Sequence, residues 1–212
     1  MGNGKKEPAA GACVRGRTVV LATRNPGKLR EMREILAGLP VDFALLADCP
    51  EVPEPEETGR TFVQNARLKA MYYARATGHL ALADDSGLEV DALGGRPGIH
   101  SARFAGTDKD DAANNARLLH ELAGVPEERR SARFRCAVCL AEPDRALLEA
   151  EGAIEGRIID EPRGENGFGY DPHFLVPELG VTTAQLSSAQ KSRISHRGRA
   201  LRALAQKLQG AE

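Results

Sequence analysis

No tryptophan occurs in the 212 residues, and six Phe and three Tyr are the only aromatic rings. So few rings leave little for a platform that stacks successive bases. Net charge is also missing, since 29 Lys plus Arg stand against 30 Asp plus Glu. A general nucleic-acid coat, which works by displacing counterions, is therefore not expected. There is no run of about 18 apolar residues, so neither a spanning helix nor a membrane partner is expected. Cysteine is scarce: Cys13, Cys49, Cys136 and Cys139 make no disulfide framework in a chain of this size. Cys136 and Cys139 sit three apart in a strand-like run, on opposite faces, and read as buried thiols of a reducing, cytoplasmic compartment. The opening MGNGKKEPAAGACVRG lacks a secretory apolar stretch, and Lys6 breaks the myristoylation pattern. Residues 1–16 read as a disordered tail and 17–210 as a single domain.

What is present is a globular balance, 42 % hydrophobic and 28 % charged. TVVLA at 18–22 predicts a buried strand. Asn25 then serves as a helix cap with Pro26 in the first turn, and Leu29, Met32 and Leu36 give the helix an apolar face ending near Gly38. Val41, Phe43 and Leu45 alternate as a second strand, followed by an acidic, proline-rich loop. A helix is expected from about 60 to 77, closed by Gly78, and a short central strand at 80–83. Residues 108–122 read as a helix, 134–140 and 146–159 as a hairpin, 174–176 as a short strand, and 195–208 as a last helix capped by Ser195. Strands alternate with helices early and dominate later, which predicts α/β with a mixed sheet.

Five segments carry candidate chemistry. TRNPGK stands at a strand-to-helix junction, where free N–H groups suit phosphate; it lacks the first glycine of a Walker A loop, and a plain helix start fits equally. Asp84 and Asp85 are expected in a loop just past a central strand, as a Mg²⁺ site or a simple turn. Glu54, Glu56 and Glu57 offer a second carboxylate or mere helix-dipole compensation. Lys69 interrupts an apolar helix face, either snorkelling or reaching an anion. Phe168 between two glycines presents an aromatic face, with Asp171 as an acceptor for ring nitrogens. His196 and Arg197 put positive charge at a helix start, which opposes the dipole and suggests a phosphate or a base carbonyl as partner.

Together the segments LATRNPGKLREMREIL, EETGRTFVQNARLKA, ALADDSGLEVDALGGRPGIHSARFAG, GENGFGYDPHF and KSRISHRGRAL resemble the inosine triphosphate pyrophosphatase family. The resemblance runs from about Val19 to Leu204. It implies an elongated mixed sheet flanked by helices, two lobes around a cleft, a homodimer, and Mg²⁺-dependent hydrolysis of ITP, dITP and XTP to monophosphate and pyrophosphate. It implies that Thr23, Arg24, Asn25, Pro26, Gly27 and Lys28 hold the triphosphate with Lys69 nearby. Asp85 would accept the proton and bind metal with Glu57 and Glu56, and Ser86 would touch substrate. Phe168, Gly169, Tyr170 and Asp171 would wall the base pocket, and Lys191, His196 and Arg197 would contact base and sugar-phosphate. Arg24 departs from the glycine common in the family, and Gln190 from a common acid. A non-catalytic nucleotide-binding regulator and a pyrophosphatase for other modified nucleotides are the competing readings. The near-zero charge hides two regions: 42–57 holds six acids and no Lys or Arg, whereas 185–212 holds six Lys plus Arg and one acid.

Overall fold

The computed structural model describes residues 14, 16–39, 41–49, 52–106 and 109–209. Strand β1 (Thr18–Leu21) leads into helix α1 (Pro26–Leu36), which starts where Asn25 accepts a hydrogen bond from the Lys28 N–H at 3.0 Å. After β2 (Asp42–Leu45), Thr61 caps helix α2 (Phe62–Thr77), and Gly78 ends it in the left-handed conformation at φ +70°. Strand β3 (Leu80–Val90) follows, then helix α3 (Asp111–Glu121), capped by Asp110. Strands β4 (Ser131–Glu142) and β5 (Arg145–Ile158) form the long hairpin. Short strands β6 (Phe174–Val176) and β7 (Val181–Thr182) precede helices α4 (Ser188–Ile194) and α5 (His196–Gln209).

The seven strands form one sheet in the order β2-β1-β3-β4-β5-β6-β7. β1 pairs parallel with β2 and β3, and the remaining pairs are antiparallel, so the sheet is mixed as expected. The apolar residues of β1, β3 and β4 alternate between two cores. Leu82, Cys136 and Leu140 face one with Met32 and Leu201, while Ala83, Ala137 and Cys139 face the other with Phe62 and Tyr73. The two cysteines do fall on opposite faces, and burial pushes both thiols up to about 12, which keeps them unreactive. A third core, around Leu88, Phe134, Ile154 and Phe174, fills the far half of the hairpin.

Three expectations are corrected. The strand predicted to stop at residue 83 continues to Val90, because β4 pairs with it from Ala81 to Val90 and supplies ladder partners through Asp84-Asp85-Ser86-Gly87. The basic segment before the last helix contains a helix of its own, α4, started by a Ser187 and Gln190 capping box. Val14, placed in a disordered tail, is buried in the first core, and Arg17 N–H bonds its carbonyl. The rest of that tail, apart from Gly16, lies outside the described residues, as do Cys13 and the predicted helix start at 108.

Candidate active site

The pleat of β3 sends adjacent side chains to opposite faces. Asp84 and Asp85 are consecutive, so they part into two different environments, both of which open on one cleft of about 300 Å³. That volume is at the lower end of ordinary ligand sites. The α1 start, the acidic loop, α2, the segment after β3, the glycine-rich loop and the α4–α5 junction all contribute to its lining.

On one face, Asp84 is 2 % exposed and sits among cations. Lys28 Nζ lies 3.0 Å from Oδ2, and Arg197 Nε and Nη2 donate to the same oxygen at 3.2 Å each. Arg197, 1 % exposed, also pairs with Glu31 and donates to Ser86 Oγ at 2.9 Å. Lys191 bridges Glu31 at 3.2 Å and Asp171 at 2.6 Å. Burial alone would raise the Asp84 carboxyl, but Lys28, then Arg197 and Lys69, outweigh it and hold it far below the usual range. Glu31 is lowered in the same way, burial being outweighed by Arg197 and Lys191. This is a buried ionic lattice with its charges matched.

On the other face, Asp85 is 6 % exposed. Asn65 Nδ2 donates to it at 3.1 Å, and Lys69 Nζ stands 3.4 Å away. That ammonium sits closer to Glu57, at 2.7 Å. Asp85 therefore receives only part of one cation. Burial, with Glu57 adding to it, prevails over Lys69 and Lys28, and its carboxyl is raised above the usual value. Glu57 is lowered, because Lys69 and Arg103 outweigh its burial.

The opposite wall is built from loops. Gly167 and Gly169 adopt φ +82° and +63°, which turns the chain sharply around Phe168. The Phe168 ring lies against Gly27, where a Cβ would come within 2.6 Å of it. Lys191 stands 4.8 Å from the ring centroid and Arg197 5.7 Å. His196 stacks on Phe134 at 4.9 Å, and its buried Nδ1 has no partner among the described residues. Burial, then Arg197 and Lys191, push its pKa well below the ordinary value, so the imidazole is neutral.

A family model described as the Ham1 family matches residues 19–207, nearly the whole described chain. The chain belongs to the Ham1 family. Two curated relatives are similar over nine-tenths or more of their length. A protein of Exiguobacterium sibiricum named dITP/XTP pyrophosphatase is 54 % identical over 88 % of this chain and 94 % of that one. One of Geobacillus kaustophilus with the same name is 52 % identical over 86 % and 90 %. Among solved structures, a HAM1 protein from Coxiella burnetii superposes with a TM-score of 0.83 at 44 % identity, covering 92 % of this chain and 99 % of that one.

Within this Ham1 cleft most of the expected residues meet. Thr23, Arg24, Asn25, Lys28, Lys69, Asp85, Ser86, Phe168, Gly169, Tyr170, Asp171, Lys191, His196 and Arg197 all line it. Glu57 does too, but Glu56 does not. The chain is not helical there, so neighbouring side chains diverge, and Glu56 is exposed. Its expected metal role is not borne by this geometry. Pro26 and Gly27 support the wall rather than line it, Pro26 by starting α1 and Gly27 by admitting the Phe168 ring. The aspartates lie within β3, not in a loop beyond it. Asp171 is not a free acceptor for ring nitrogens. It accepts from Thr183 Oγ1 at 2.7 Å, from the Phe168 N–H at 2.8 Å and from Lys191, and so organises its own loop. Arg197 is likewise committed, with four of its five N–H groups given to Asp84, Glu31 and Ser86.

Sequence reasoning missed Glu31, Asn65 and Arg103. Glu31 and Asn65 each carried a signal, a polar residue beside the apolar stripe of an amphipathic helix. Arg103 carried none, since it follows an irregular turn.

Proposed function

We propose that the cleft hydrolyses the purine nucleoside triphosphates ITP, dITP and XTP to monophosphate and pyrophosphate, removing deaminated purines from the nucleotide pool. The observation that carries this is the raised carboxyl of Asp85 beside Glu57 and Lys69, in a chain 54 % identical to proteins named dITP/XTP pyrophosphatase.

The donor set fits Mg²⁺. Magnesium binds through one or two carboxylates, substrate phosphates and water, not through a full protein cage. Glu57 and Asp85 provide two carboxylates on either side of Lys69, the hard oxygen ligands that Mg²⁺ takes. When bound, the metal would offset the triphosphate charge and polarise a phosphoryl oxygen. Asp85 accepts the proton of the water whose oxygen attacks the α-phosphorus, and Asn65 holds its carboxylate in place. The bond between the α-phosphorus and the oxygen bridging to the β-phosphorus breaks, and pyrophosphate leaves. Lys28 and Lys69 stabilise the charge that develops on it. No side-chain nucleophile is needed, and the buried cysteines are inert.

For the base, Phe168 provides the stacking face. His196 is neutral and retains an unsatisfied nitrogen, so it meets the purine 6-position by hydrogen bonding rather than by charge. An adenine 6-amino group there would leave a carbonyl-seeking donor unpaired, at a cost of about 1–3 kcal/mol. No described helix is long and apolar enough to cross a membrane. A cytoplasmic homodimer acting on small nucleotides rather than nucleic acid accords with the family resemblance. Incubation with dITP and Mg²⁺ and chromatography of the products tests the reaction. Equimolar dIMP and pyrophosphate are expected; orthophosphate release, or binding without turnover, would overturn it. A panel that includes modified pyrimidine triphosphates and GTP ranks the substrates.

A further inference from the structure

Arg103 ends the 3-10 segment Gly98–Arg103 that follows β3. The backbone on both sides of it is tied down. Ser101 Oγ accepts from the Leu88 N–H at 2.8 Å, and Tyr170 donates to the Ser101 carbonyl at 2.8 Å. Asn114 donates to the Ala102 carbonyl at 3.2 Å and accepts from the Ala105 N–H at 2.7 Å. Arg117 bonds the Phe104 carbonyl. Tethers from β3, α3 and the glycine-rich loop thus fix Ser101, Ala102, Phe104 and Ala105 around Arg103.

Its side chain is held far less firmly. It lines the cleft, is 48 % exposed, and touches one carboxylate, Glu57, at 3.3 Å. A half-exposed ion pair of that length contributes little to stability. The other Glu57 oxygen already has Lys69 at 2.7 Å. A rigid backbone that presents a loosely paired guanidinium into a cleft suits ligand binding better than it suits folding.

We propose that Arg103 is a phosphate-binding residue that exchanges Glu57 for the phosphate chain of the nucleotide. This rests on reading the cleft as a nucleoside triphosphate site. The planar guanidinium fork matches two phosphate oxygens at once, a fit that an ammonium lacks. A cation accepted by Glu57 weakens the hold of that carboxylate on Arg103 and frees the guanidinium as the phosphates arrive. Lys28 is less available for such an exchange, because it neutralises the buried Asp84. Arg103 lines the same cleft as Arg24, Lys28, Lys69 and Lys109.

The test is calorimetric titration of the full chain and of Arg103→Ala with pyrophosphate, once with Mg²⁺ and once with EDTA. Loss of a charge-assisted hydrogen bond predicts about a tenfold weaker affinity for Arg103→Ala with Mg²⁺. KM for dITP should rise in parallel, and the melting temperature should stay within about 2 °C. Arg103→Lys should recover only part of the loss. An affinity within threefold of the parent chain overturns the proposal. Should Arg103→Ala fail to melt cooperatively, Arg103→Gln is judged by the same threshold. Pyrophosphate binding needs no turnover, so an inactive parent chain would refute the hydrolase reading while the role of Arg103 is still decided.

Discussion

Asp84 and Asp85 are the same residue type, adjacent on one strand and both more than nine-tenths buried, yet their carboxyls are driven in opposite directions. Asp84 meets Lys28 and the Nε–Nη2 edge of Arg197. Asp85 meets the Asn65 amide, the Ser86 backbone N–H and, at 3.4 Å, an ammonium held closer by Glu57. Burial raises both, and the number of cations within reach decides the sign. One aspartate is therefore a fixed counter-ion of the fold, and the other is the one to which the proposed function gives the proton and the metal. A strand pleat is enough to separate the two roles by a single residue.

The largest effect should come from Asp85→Asn, which removes the proton acceptor. Turnover is expected to fall by roughly 10²–10⁴. Its melting temperature should not drop. Asp85 binds its proton more tightly folded than unfolded, so its ionised form costs stability at neutral pH, and that cost is relieved as pH falls through the raised value. Loss of folding together with activity would break the comparison.

Asp84→Asn should do the reverse, losing about 3–5 kcal/mol of stability, because Arg197 and Lys28 are left uncompensated in a buried place. Denaturant unfolding measures it. Acid titration carries the same contrast. Asp84 and Glu31 are lowered, so the stability they confer is complete above about pH 5 and disappears as pH falls through their folded values. A further, smaller loss begins below about pH 6.5. His196 is buried neutral with a lowered pKa, so the unfolded chain takes up that proton first. An imidazole NMR titration should show His196 still neutral below the ordinary histidine value. The smallest effect is expected for Glu56→Gln, which should leave both turnover and melting unchanged. Glu57→Gln should raise the Mg²⁺ concentration needed for half-maximal turnover by about tenfold or more. Equal effects at 56 and 57 would undo the assignment of the carboxylate to one side of that pair.

Much of the frame was legible in the chain. Asn25 and Ser195 announce helix starts through the hydrogen bonds that their side chains make. The nearly continuous apolar run of residues 134–140 gives a strand with two buried faces, and the cysteine spacing then puts the two thiols on opposite sides. The extension of β3 was hidden, since Asp, Ser and Gly read locally as a turn and only the pairing with β4 keeps them extended. Asp171 and Arg197 were legible as residues of the cleft but not by what they bind, because their partners lie up to 166 residues away.

The sequence by itself did not determine α4, the length of β3, Glu31 or Arg103. It determined most of the elements, some of their caps, the family and many of the charged groups in the cleft. Those are local properties, or properties of the ordered motifs. The tertiary structure alone decided which charge neutralises which, that Glu57 turns in while Glu56 turns out, and that two neighbouring aspartates differ in acidity. The physical reason is that desolvation and Coulomb attraction act through space at a few ångströms, and the neighbours at that range are set by how the layers pack and not by order along the chain.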